Sequence, residues 1–135
     1  MSRPREFDIE ETLSKVRDQF WRHGYAATSF ERLMEATNLG KGSLYTAFGD
    51  KRALFLRVLR EYATARVAST RDLHRRAPRA IDALRATLRP TPGPRGCFLA
   101  NCTVELSPQD AEVVTIARTT FAQLEVIVTE RSGGP

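Results

Sequence analysis

Apolar residues recur at three- and four-residue spacing from Ile9 to Val128, and strict alternation is rare. A helix turns once in about 3.6 residues, whereas a strand alternates every two, so a chain patterned this way buries its apolar stripe as helices. Val and Ile are too scattered to build a sheet. The expected fold class is all-α. At 135 residues the chain is long enough to bury a core without disulfide staples, and its two cysteines, Cys97 and Cys102, cannot form a disulfide framework.

Punctuation residues divide the pattern. A first helix is expected from Asp8 to His23, with Asp8 as N-cap, Glu10 and Glu11 in the first turn, and Ile9, Leu13, Val16 and Phe20 on one stripe. Phe20 and Trp21 read as core, and Gly24 suits the left-handed position that ends the helix. Thr28-Ser29-Phe30-Glu31 reads as a capping box with Thr28 as the cap, opening a short helix from Ser29 to about Ala36 with Phe30, Leu33 and Met34 inward. A tight turn, Thr37-Asn38-Leu39-Gly40, leads into a second short helix from Lys41 to Phe48. Gly49-Asp50 breaks it, and Asp50 caps a long helix from Lys51 to Ser69 or beyond, with Leu54, Val58, Tyr62 and Ala65 on one side.

The second half reads similarly. Pro78 suits the first turn of a helix reaching Leu88, apolar at Ile81, Leu84 and Leu88. The stretch from Arg89 to Pro94 is a stiff linker. A short apolar helix is expected from Gly96 to Leu106. Ser107-Pro108-Gln109-Asp110 reads as cap, first-turn proline and acid, starting a last helix to about Glu130 with Val114, Ala117, Phe121, Leu124 and Val128 inward.

Charge separates the two halves. Up to Ala77 there are 15 Lys and Arg against 10 Asp and Glu; beyond it there are 6 against 6. The whole net charge of +5 therefore lies in the first part, which suits a polyanion partner there or a solvated helical surface. Within that part, two short helices joined by a tight turn and flanked by longer ones form a helix-turn-helix pattern. Leu44 and Phe48, four residues apart, would anchor the second short helix. Lys41, Ser43, Tyr45 and Thr46 are then left outward, with donors for phosphates and base edges, and Gly42 and Ser43 allow close approach.

Gly24-Tyr25-Ala26-Ala27-Thr28-Ser29, followed by Leu39-Gly40-Lys41-Gly42-Ser43-Leu44-Tyr45-Thr46-Ala47-Phe48-Gly49-Asp50-Lys51-Arg52-Ala53-Leu54, closely resembles the DNA-binding domain of TetR/AcrR-family transcriptional regulators. The resemblance covers Asp8 to Tyr62. Beyond it, Gly96–Asn101 and Ser107–Asp110 look like ligand-domain segments of an AcrR-like subgroup. It implies a helix-turn-helix DNA-binding domain over 1–50, joined by a long helix to a helical ligand-binding and dimerisation domain over 51–135. It also implies a cytoplasmic homodimer on a palindromic operator in double-stranded DNA, acting as a repressor that a small apolar effector releases. Residues matching Thr28, Tyr45 and Lys51 contact phosphates in the family, and those matching Gly42, Ser43 and Thr46 approach bases.

Three departures qualify that expectation. Gly40 stands where the family usually has a capping Ser, and Ala47 replaces a common His or Tyr. The chain also stops in Gly-Gly-Pro where the family's two long last helices would begin, so the second domain is expected to be incomplete. The alternative is a C-terminally truncated remnant that binds DNA weakly or not at all, or that interferes with a full-length relative.

The remaining candidates divide between function and packing. Phe98, Leu99, Cys102 and Phe121, with Val114 and Leu124, would line an apolar ligand cavity or fill a solid core. Arg3 and Arg5 read as a tail or as an arm gripping phosphate. His23 and His74 lack ligand spacing, so no metal or cofactor is expected. With no nucleophile–base pair and no phosphate loop, the chain reads as a non-enzyme. No stretch reaches the roughly 18 apolar residues of a membrane span, and the charged N-terminus lacks a secretory h-region.

Overall fold

Helix boundaries fall where capping chemistry puts them. In the computed structural model, which describes residues 8–89 and 93–133, the Asp8 carboxylate accepts from Glu10 N at 2.9 Å and Glu11 N at 3.2 Å and opens α1 (Ile9–His23). Gly24, at φ 83°, ends it. The Ser29 hydroxyl accepts from Arg32 N at 3.1 Å and opens α2 (Phe30–Thr37), and Asn38, left-handed at φ 58°, closes it. α3 (Lys41–Phe48) follows from Gly40 with no side-chain cap. The Asp50 carboxylate then accepts from Ala53 N at 2.9 Å at the start of α4 (Lys51–Arg76). Next come α5 (Ala80–Leu88), α6 (Phe98–Leu106) and α7 (Ala111–Gly133), and the described residues hold no strand. Arg3, Arg5, positions 90–92 of the expected linker and positions 134–135 lie outside the described residues.

The chain divides into two units, Met1–Arg60 and Glu61–Pro135, with α4 running through the boundary. The first unit closes on Leu13, Val16, Phe20, Leu33, Leu44, Leu54, Phe55, Val58 and Leu59, all essentially removed from water. Each such side chain contributes about 1.5–3 kcal/mol on burial. Phe20 lies parallel to the Tyr25 ring at 6.1 Å and edge-on to Phe55 at 5.2 Å, and Tyr25 meets Phe55 at 4.7 Å. Trp21, expected in the core, is only half-buried beside the fully covered Phe20.

Ser29, and not Thr28, is the cap of α2. Thr28 is wholly buried, and its hydroxyl donates to Gly24 O at 2.6 Å and Gln19 O at 3.3 Å. It ties the turn back to the end of α1. Phe30 and Met34 are half-buried, and Leu33 carries the inward face of α2.

The second unit departs further from the expected stripes. On α4 the buried positions are Ala63, Val67, Thr70 and His74, and Ala65 faces water. Pro78 lies outside α5, whose N-cap is Arg79, and Ala83 is the buried residue while Ile81 and Leu88 are exposed. α7 is capped by Asp110, whose carboxylate accepts from Val113 N at 3.2 Å, so Ser107 and Pro108 precede the helix. Its buried face is Val113, Ala117, Thr120 and Ile127; Ala117 is inward as expected, and the other three each lie one position before the expected Val114, Phe121 and Val128. A helical threonine can bury itself by donating to the preceding turn, as Thr120 does to Ile116 O at 2.7 Å. That self-satisfaction lets a nominally polar position join the core and leaves Phe121 outside it.

Candidate nucleic-acid interface

α3 rests on two residues and presents the rest. Leu44 is fully buried and Phe48 nearly so, one turn apart, and they fix the helix to the core of the first unit. Lys41, Gly42, Tyr45 and Thr46 are exposed and Ser43 is half-buried; Tyr45 keeps 57% of its surface in water. An exposed aromatic with a free hydroxyl beside small and cationic residues is a surface for phosphates and base edges. A Cβ added at Gly42 would meet nothing within 4 Å, so packing does not demand glycine there. Gly49 is different: φ is +90° and a Cβ would lie 3.0 Å from that of Ala53, so only glycine makes the turn into α4.

That turn delivers Lys51 as the first residue of α4, a helix with no acidic residue in its first turn. A cation at the positive end of a helix dipole is locally unfavourable. The Lys51 ammonium nevertheless has a fixed seat, 4.2 Å from the centre of the Tyr25 ring. Further along α4, the Arg57 guanidinium lies 5.3 Å from the Phe48 ring, above the same residue that anchors α3. Each cation is drawn to the negative face of its ring, which fixes where its charge sits. Neither pairing was legible in the sequence, because each joins residues from different elements with no periodic relation.

Among the sequence-derived candidates for DNA contact, Lys41, Gly42, Ser43, Tyr45, Thr46 and Lys51 fall on α3 and the start of α4, whereas Thr28 has no exposed surface. The four ligand candidates differ in exposure. Phe98, Leu99 and Cys102 are packed inside the second unit, with Phe98 edge-on to Tyr62 at 5.6 Å, while Phe121 is 47% exposed. Burial pushes the Cys102 thiol up to about 12, so it stays protonated. Cys97, half-exposed, accepts a hydrogen bond from the Tyr62 hydroxyl at 3.4 Å. Burial raises the Tyr62 phenol above its ordinary value, and the bond to Cys97 raises it further. Among the described residues no group of three or more His, Cys, Asp or Glu could hold a metal ion, and no helix is long and apolar enough to cross a membrane.

Residues 13–58 match the family model described as "Bacterial regulatory proteins, tetR family". The HTH-type transcriptional repressor ComR of Escherichia coli K12 is 31% identical over 133 residues, covering 91% of this chain and 62% of ComR. The uncharacterized HTH-type transcriptional regulator YezE of Bacillus subtilis 168 is 29% identical, over 93% of this chain and 68% of its own length. The chain thus spans under two thirds of ComR and little more of YezE. Among solved structures, a cysteine mutant of the TetR family transcriptional regulator CifR, complexed with 26-bp double-strand operator DNA, superposes with a TM-score of 0.62. That match covers 98% of this chain and 92% of the CifR chain at 23% identity, a likeness of fold.

Proposed function

From its membership of the tetR family of bacterial regulatory proteins, we propose that this chain is a sequence-specific DNA-binding transcriptional regulator. The observation that carries the reading is the outward face of α3, where Lys41, Gly42, Tyr45 and Thr46 are exposed, with half-buried Ser43 beside them, over buried Leu44 and Phe48. A helix held in this way can enter the major groove of a duplex. Tyr45, Lys41 and Lys51 grip phosphates, and Gly42, Ser43 and Thr46 approach base edges. The first 50 residues form the DNA-reading domain. Residues 51–135 contribute to ligand binding and dimerisation in the cytoplasm, where the operator lies. Two copies on a palindrome place their α3 helices about 34 Å apart, one turn of DNA. A small-molecule effector favours an arrangement that misfits that spacing, and so releases the repressor.

The test is equilibrium binding of the full chain to a mixed-sequence duplex across a salt series, followed by selection from a randomised duplex pool. Affinity that falls steeply with salt, and a palindromic selected motif, are the expected results. Binding that ignores salt, or a pool that never enriches, overturns the reading.

A further inference from the structure

In the second unit, the C-terminal part of α4 and the C-terminal part of α7 border an open pocket of about 360 Å³, lined by Arg71, His74 and Arg75 from α4 and by Ile127 and Glu130 from α7. We propose that this pocket binds a small organic monocarboxylate with an apolar body, its carboxylate held by Arg71 and Arg75.

The two arginines are four apart on one helix and share a face. Among the described residues, neither guanidinium lies within ion-pair distance of a carboxylate. Arg76, which does not line the pocket, pairs with Asp72 at 2.9 Å. Helix-dipole compensation accounts for a cation in the last turn of α4, where Arg75 sits, but Arg71 is a turn too early to benefit. A guanidinium fork matches a carboxylate in two parallel hydrogen bonds, so two forks facing one cavity suit a single carboxylate well.

The rest of the lining narrows the ligand. Ile127 is buried and gives the pocket an apolar floor that rewards a hydrocarbon or aromatic body, with the His74 imidazole buried beside it. His74 is fixed in place: Thr87 donates its hydroxyl proton to Ala83 O at 2.8 Å, so its oxygen, 2.9 Å from His74 Nε2, receives the ring N–H. Glu130 adds a negative charge to the wall, which opposes a second anionic group on the ligand. A monocarboxylate is therefore favoured over phosphate or a dicarboxylate.

The proposal rests on the reading that the second unit receives an effector, and supplies its chemistry. The test is calorimetric titration of the full chain with hydrocinnamate, with hydrocinnamide and with inorganic phosphate at constant ionic strength. The acid should bind at least about tenfold more tightly than the amide, and phosphate should bind weakly. The Arg71→Gln/Arg75→Gln variant, whose changed side chains are exposed, should keep its helical circular dichroism and lose at least about tenfold in affinity for the acid. Glu130→Gln should strengthen phosphate binding. Equal binding of acid and amide, an undiminished arginine variant, or no uptake of the acid at millimolar concentration overturns the site. Acid binding that leaves duplex affinity untouched supports the site and removes effector release from the proposed function. Absent duplex binding refutes the DNA reading while the carboxylate titration still decides the pocket.

Discussion

The Lys51 ammonium lies 4.2 Å from the centre of the Tyr25 ring, and Tyr25 is in turn held against Phe20 and Phe55. The core of the first unit thus extends one aromatic outward to seat a cation at the mouth of α4. A lysine tethered only by its methylene chain loses considerable rotamer entropy when it meets a phosphate. One already resting on a ring has less to lose, and the cation–π contact is worth about 0.5–1 kcal/mol at such a half-exposed position.

A double-mutant cycle on this pair separates positioning from packing. Tyr25→Phe should leave duplex binding close to wild type, since the ring face remains. Tyr25→Leu should weaken it about two- to fivefold, from the cation–π energy above. With Lys51→Ala already present, the same change should have no further effect. Lys51→Ala alone should lower the slope of log affinity against log salt by about one. Additive losses in the cycle would mean that Tyr25 acts through the core alone.

Gly42 offers the reverse trade. Its added Cβ meets nothing, and glycine in a helix costs up to about 1 kcal/mol relative to alanine. Gly42→Ala should therefore raise the urea midpoint by the equivalent of about 0.5–1 kcal/mol while weakening duplex binding. A stabilised variant with unaltered affinity would show that DNA does not approach the first turn of α3.

The first unit was largely legible because its boundaries are local. Asp8, Gly24, Asn38, Gly49 and Asp50 each stop or start a helix through bonds or φ values confined to a few residues. Thr28 was misread because Thr28 and Ser29 are adjacent hydroxyl residues and either could cap; which one does depends on the contact of Thr28 with Gln19, outside the motif. α7 carries two stripes with the same three–four spacing, and pairing with other helices, invisible locally, selects the one through Thr120. The arginine pocket brings α4 to α7, and no periodicity links them. Of the candidate interface, the outward set on α3 followed from Leu44 and Phe48 alone, whereas the aromatic seats of Lys51 and Arg57 required the fold.

Cysteine reactivity should be one-sided. Cys102 is buried, with its thiol pushed up to about 12, whereas Cys97 is half-exposed. At pH near 8, iodoacetamide should alkylate Cys97 in the folded chain and reach Cys102 only on unfolding, because the thiolate is the nucleophile. Mass spectrometry of a time course reads this directly. Equal labelling of both thiols would mean that α6 opens readily in solution.

Thr46→Ala should alter sequence preference more than overall affinity. Thr46 is exposed on α3, and its hydroxyl and methyl can both meet a base edge. Selection from a randomised pool should return a motif changed at one position of each half-site, with the salt slope unaltered. An unchanged motif would move base reading to other residues of the helix.

Thr28 provides the sharpest contrast between scaffold and contact. The family resemblance assigns it a phosphate, yet its side chain has no exposed surface and its hydroxyl donates to Gly24 O and Gln19 O. A phosphate oxygen cannot reach a group so enclosed without opening the turn after α1. Thr28→Val keeps the shape and removes the donor, leaving carbonyls in a dry site, at a cost of about 1–3 kcal/mol. Thr28→Ser keeps the donor and loses one methyl, at about 1 kcal/mol. Chemical denaturation should rank the two in that order. Duplex binding by the folded Thr28→Val chain should retain the wild-type affinity, because no phosphate contact has gone. A loss of about tenfold or more, the cost of a hydrogen bond to a charged group, would place Thr28 among the phosphate ligands and require the turn to open on DNA.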